Sequence, residues 1–140
     1  MRGVGNAKSK DLLIFALLMT ISFLLLEVAA RTYDLYLIMP TIDVPSHFLA
    51  GLALGSLAYW WLAKKGIKQK GTWAVFTAFV AAGLWEIIET TEEIFVYNPP
   101  YLRDFFFWDG FWDIIFTTLG GFIVMFYIYY LFEKKKKVTA

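Results

Sequence analysis

Asp43 and His47 stand four residues apart, Glu86 and Glu89 three apart, and Asp109 and Asp113 four apart. Spacings of three and four put two side chains on one face of a helix, so each pair presents its polar groups together. Carboxylates gathered in a poorly solvated site repel one another until protons or a cation intervene. Oxygen-rich donor sets suit Mg²⁺, Mn²⁺ or Ca²⁺, and an imidazole adds affinity for Mn²⁺, Fe²⁺ or Zn²⁺. The expected metal ligands are Asp43, His47, Glu86 and Asp113, holding a divalent ion (Mg, Mn, Zn or Fe). Glu86, Glu89 and Asp109 are expected to carry acid-base chemistry at a catalytic site. A metal there would polarise a phosphoryl or carbonyl oxygen and activate water, with a spare carboxylate as general base. The expected substrate is a membrane lipid or a lipid-linked molecule.

Simpler roles exist for the same residues. Asp43, just before Val44-Pro45, and Asp109 are each placed to cap a helix N-terminus. A single histidine is more often a hydrogen-bonded structural group than a ligand. The chain holds only that one histidine and no cysteine, which excludes disulfides, thiolate metal sites and cysteine nucleophiles. Helical di-iron sites draw a histidine from each of two helices, and that pattern is incomplete here. Neither G-x-S-x-G nor H-E-x-x-H occurs.

The elements that must hold these residues are apolar. Of 140 residues, 59% are hydrophobic and 18% charged, and a soluble domain carries nearer a quarter charged. A net charge of +1 gives no basic surface for nucleic acid. About 20 mostly apolar helical residues cross a bilayer core of about 30 Å. Four stretches approach that length: 12–30, 46–63, 72–88 and 111–132. Spanning segments satisfy their backbone groups internally, so the expected fold is all-α: a polytopic four-transmembrane-helix bundle forming one integral membrane domain over 1–140. The first stretch ends in Val28-Ala29-Ala30, which resembles a signal-peptide cleavage site, but it reads as a true first span.

Orientation follows from the lysines and arginines. Arg2, Lys8 and Lys10, then Lys64, Lys65, Lys68 and Lys70, then Lys134 to Lys137 fall on one side, leaving Arg31 and Arg103 opposite. Both termini are therefore expected in the cytoplasm, with 133–140 a basic cytoplasmic tail near anionic headgroups. The expected location is the plasma membrane. Of the 12 acidic residues, all but Asp11 and Glu133 lie in the outer loops or outer halves of the spans. Acidic residues contribute little to topology, so this crowding has another cause. Glu86 lies deep enough that facing lipid would be costly, and it is expected to face the bundle interior.

Small residues line the same faces: Gly51, Gly55 and Ala58 below His47, Ala82 and Gly83 before Glu86, and Thr117, Gly120 and Gly121 after Asp113. Such residues let membrane helices approach closely, and Gly51 and Gly55 have the G-x-x-x-G spacing. They are expected to bring the polar faces together, and the Gly51/Gly55 face also offers a route to a homo-oligomer. On the first helix, Glu27 can pair with Arg31 and close a fourth wall. Asn98-Pro99-Pro100 should end the third helix, and 97–107 could fold over the outer pocket as a lid.

The string Trp108-Asp109-Gly110-Phe111-Trp112-Asp113, followed by Gly120-Gly121, resembles the W-D-x-x-W-D-x6-G signature of the YjdF-type inner-membrane proteins. Asp43-x3-His47-Phe48 and Trp85-Glu86 are similar to that family's earlier polar positions and, more distantly, to those of VanZ-like proteins. VanZ-like proteins carry glutamine and asparagine where this chain has Glu89 and Asp113. The resemblance covers about residues 43–121 and implies an integral membrane protein of a family whose activity is not established. Three functions stay open: a metal-dependent membrane enzyme acting on a lipid substrate, a cation or proton pathway, and a noncatalytic subunit or scaffold.

Overall fold

The computed structural model describes residues 3–97, 103–128 and 130. They form four long helices and one short one: α1 (Gly3–Thr32), α2 (Leu35–Ile38), α3 (Asp43–Lys64), α4 (Lys70–Tyr97) and α5 (Arg103–Ile128). The fold class is all-α, as expected. Each apolar stretch lies in one long helix, although α5 starts earlier than the stretch at 111 and is described only to Ile128. The tail at 133–140, the prolines at 99 and 100 and residues 98–102 of the segment that could form a lid lie outside the described residues, while 103–107 belong to α5.

The turns follow from local chemistry. Asp34 adopts a left-handed conformation between α1 and α2, which aspartate tolerates better than most residues. A single turn of 3-10 helix at Pro40–Ile42 then leads into α3. At the other end of α3, Gly66 has φ +74, and the amides of Gly66 and Ile67 donate to the carbonyls of Ala63 and Leu62. This pairing closes the helix and suits a residue with no Cβ.

Among the described residues, three segments are long and apolar enough to cross a membrane: Lys10–Thr32, Lys70–Thr91 and Trp108–Ile128. Helix α3, expected to be a fourth span, matches them in length at 22 residues but is diluted by His47, glycines, serines and Tyr59. Its position accounts for this. α3 packs against α1, α4 and α5, and Ser46, Gly51, Gly55, Ser56 and Tyr59 are all buried. A helix enclosed by other helices has little contact with lipid and can carry small and polar residues at its contacts. The large apolar side chains of α1, among them Leu18, Leu25 and Val28, point outward.

The closest approach is between α3 and α5. A Cβ placed on Gly51 would lie 1.9 Å from the Thr117 carbonyl oxygen, and one on Gly120 would lie 2.5 Å from that of Phe48. Gly55 meets the Gly121 Cα in the same way, at 2.9 Å. The paired residues rise together along both helices, so α3 and α5 run parallel, with α4 antiparallel between them in the chain. α4 contributes Ala74, Ala78 and Ala82, all buried. The Gly51/Gly55 face, which also offered a contact between copies, is thus occupied within the chain.

At the lysine-rich end, Leu12, Tyr59, Ala74, Val124 and Ile128 form an apolar cluster, and Phe15 of α1 stacks on Tyr127 of α5. Lys64 lies 5.4 Å from the centre of the Trp60 ring and Lys65 5.8 Å from that of Trp61. Lysines paired with tryptophans are typical of a membrane interface.

Because the obstructing atoms at Gly51 and Gly120 are backbone, Gly51→Ala and Gly120→Ala should each destabilise the detergent-purified protein by about 1–3 kcal/mol or more. Gly83→Ala, with nothing within 4 Å of the added carbon, should leave thermal stability unchanged or improved in the same assay.

Candidate functional site

Asp43 is the first residue of α3, and the cap position falls on Ile42, which makes no side-chain cap bond. Capping is therefore not the role of Asp43. Its Oδ1 lies 3.3 Å from Nε2 of His47, one turn on. Nor does Asp109 cap α5, which begins six residues earlier at Arg103. The remaining partners of His47 come from the other two helices. Glu86 Oε1 of α4 lies 3.8 Å from Nδ1, Asp113 Oδ2 of α5 lies 3.8 Å from Nε2, and Thr117 Oγ1 lies 3.4 Å from Nδ1.

The imidazole divides the expected ligands. Asp43, His47 and Asp113 form one group whose ligand atoms all lie within 4.8 Å of one another, and His47, Glu86 and Glu89 form a second. For an ion bonded tetrahedrally at about 2.0–2.2 Å, neighbouring ligand atoms sit about 3.3–3.6 Å apart. The 3.3 and 3.8 Å separations around Nε2 exceed the roughly 2.7–2.9 Å of a strong charge-assisted hydrogen bond and lie near that tetrahedral edge.

Glu86 and Asp113 are buried, at 8% and 6% exposure, although both are ionisable. Oε1 of Glu86 has no hydrogen-bond partner, and its other oxygen rests where Gly110 leaves space for it. Glu89 accepts a hydrogen bond of 2.7 Å from the Trp85 indole. A cavity of about 30 Å³ is lined by Asp43, Glu86, Glu89, Thr90, Asp109, Gly110 and Asp113. That space admits a water molecule or a bare ion. Five carboxylates line the cavity and four of them stand close to one imidazole, so a single protonated histidine could balance only one of them. Protons or a cation must make up the rest.

All six residues expected from spacing are thus gathered at one place. Asp109 is the outlier, lining the cavity while standing outside both close groups, and it is exposed. Spacing did not single out Thr90 or the space at Gly110. Thr90 is four residues after Glu86 and could have been found by the same rule, whereas Gly110 carries no side chain to suggest a role.

α1 does not form the expected fourth wall, because the cavity is lined by α3, α4 and α5 alone. Its Glu27 instead ties helices together behind the site. It pairs with Arg31 at 3.2 Å and accepts hydrogen bonds from the hydroxyls of Tyr36 and Ser46. Ser46, beside His47 in sequence, is buried, so this knot fixes the start of α3 against α1.

Apolar helices long enough to span a bilayer, closed around one acid and imidazole cluster, define a helical integral membrane protein. The chain belongs to the family described as Predicted membrane protein (DUF2238), whose model matches residues 9–134. The match takes in every site residue and agrees with the resemblance to a membrane family of unestablished activity. No curated protein matches the chain, and no solved structure does.

Burial, and then the hydrogen bond to the Glu27 carboxylate, push the Tyr36 phenol above the ordinary tyrosine value. Its stabilising contribution is therefore present below the ordinary value and is lost as pH rises through the higher folded one. In an alkaline titration followed by tyrosinate absorbance, Tyr36→Phe should remove amplitude only at the most alkaline end. Loss of amplitude in the ordinary tyrosine range would contradict the Tyr36–Glu27 contact.

Proposed function

We propose that this protein is a four-span membrane protein with both termini in the cytoplasm and a divalent metal held at an outward-facing site. α3 is the fourth span, shielded from lipid by its neighbours. The lysines at its end and at the start of α4 then lie inside, and Asp43, Glu89 and Asp109 lie towards the outer face. The observation that carries the metal reading is the buried Glu86 oxygen that accepts no hydrogen bond, beside one imidazole and a surplus of carboxylates. A cation would satisfy that oxygen and offset the charge together.

Asp43, His47, Glu86 and Asp113 would hold the ion, with Glu89 beside the same ring. A nitrogen in the set, and donor spacings wider than the roughly 2.9 Å expected between neighbouring ligands of octahedral Mg²⁺, favour a first-row transition ion or zinc. The chemistry this supports is hydrolysis or transfer on a lipid or lipid-linked substrate at the outer leaflet. The ion would polarise a phosphoryl or carbonyl oxygen, and Glu86, Glu89 or Asp109 would take the proton from water. A cavity of about 30 Å³ holds an ion and little more, so a headgroup would meet it at the exposed Asp109 rim.

An ion pathway through the chain has less support. Directly below the site the backbones of α3 and α5 touch at Gly51 and Thr117, which leaves no room for a file of water between them.

Elemental analysis of protein purified without chelator and exposed to Zn²⁺ or Mn²⁺ should find about one equivalent of metal, lost in His47→Ala and in Asp113→Asn. Wild type that retains neither ion would overturn the reading. The chain has no native cysteine, so topology can be read from single replacements. Lys68→Cys should be shielded from an impermeant thiol reagent in intact cells and Leu37→Cys labelled by it. The reverse pattern would invert the proposed orientation.

A further inference from the structure

Gly110 is buried on α5 between the two aspartates that face the cavity. A Cβ built on it would lie 2.7 Å from Oε2 of Glu86, 3.5 Å from its carboxyl carbon and 3.6 Å from its Cγ. The space opposite the α-carbon is thus filled by the end of one side chain from the neighbouring helix. Gly71 of α4 faces a side chain in the same way, that of Met125 at the lysine-rich end, whereas the glycines of the α3–α5 contact differ in kind. Gly51, Gly55 and Gly120 face backbone atoms, so their role is to let helices touch, while Gly83 of α4 faces nothing within 4 Å.

We infer that Gly110 is a positioning residue for the cation site: the missing side chain is a seat that holds the Glu86 carboxylate against α5, with Oε1 turned towards His47 and the cavity. The inference rests on the metal reading above and adds to it how the acid from α4 is aimed. Glu86 has three rotatable side-chain bonds and no hydrogen bond on Oε1 to fix it. Beside the 3.8 Å approach of Oε1 to His47, its far end is set by packing against Gly110. A methyl group there clashes with the end of a flexible side chain rather than with backbone. The helix can keep its place while the carboxylate moves, and alanine is also the better helix former by about 1 kcal/mol. Substitution at Gly110 should therefore cost the site and spare the fold, whereas substitution at Gly51 should cost both.

The test is Zn²⁺ affinity, measured by competition with a chromophoric chelator, together with thermal stability, for wild type, Gly110→Ala, Glu86→Asp, the double variant and Gly83→Ala. Gly110→Ala should melt at or above the wild-type temperature and bind Zn²⁺ at least about 10-fold more weakly, the scale on which displaced groups around a metal weaken it. Glu86→Asp should also bind more weakly, because the shorter acid falls short of its seat. In the double variant the shorter side chain clears the added methyl, so its affinity should exceed that expected from the two single losses combined. Gly83→Ala should bind as wild type.

Wild-type affinity in Gly110→Ala would overturn the inference while leaving the metal reading intact. Losses that simply add in the double variant would also overturn it, since helix displacement rather than carboxylate displacement would then be the cause. Wild type that takes up no Zn²⁺ at all would instead remove the reading of the site on which the inference stands.

Discussion

Backbone contact between α3 and α5 is the constraint from which the site follows. Gly55 meets Gly121 and Gly51 meets Thr117, and one turn further along the same parallel pair His47 lies beside Asp113. Asp43 and Asp109, another turn up, line the same cavity. A four-residue repeat on each helix is thus held in step by glycines, and the polar residues are carried into register by the small ones. Any side chain at Gly51 would force the helices apart and open that register along its length. In a membrane, where apolar burial does little to drive helices together, such close contact is a principal source of cohesion.

The same constraint shapes how the chain meets lipid. Small and polar residues buried at its contacts dilute the apolar character of α3, so this helix loses hydropathy where it gains packing. It is shielded by α1, α4 and α5, and the large apolar side chains are spread over their outer surfaces. Glu27, Ser46 and Tyr36 then fix the C-terminal end of α1 to the start of α3. This bond set replaces a hydrophobic contact at a level where the chain must also present acids to the site.

Burial of Glu86 and Asp113 is expensive unless their charge is met. His47 meets part of it, with one ring nitrogen towards Asp43 and Asp113 and the other towards Glu86 and Thr117. The Glu86 oxygen that accepts no hydrogen bond marks where the balance is incomplete. A site of this kind is poised to take up a positive charge, and its small cavity limits that charge to something the size of an ion.

The helices and the residues that gather at the cavity were legible in the sequence for one reason: both are written in local periodicity. Apolar runs of membrane-spanning length announce α1, α4 and α5, and spacings of three and four put Asp43 with His47, Glu86 with Glu89 and Asp109 with Asp113. What periodicity cannot convey is which faces meet and at what level. The capping roles open to Asp43 and Asp109 fell away because α3 and α5 begin earlier than their apolar stretches, at positions set by packing and turn geometry. The fourth wall expected from α1 is absent because Glu27 is taken up by Ser46 and Tyr36. The division of the ligands between two ring nitrogens, and the seat at Gly110, exist only across helices. Sequence determined the chemistry available on each helix face; tertiary structure alone decided which atoms stand within reach of His47, because that distance depends on backbones that touch where two helices lack side chains.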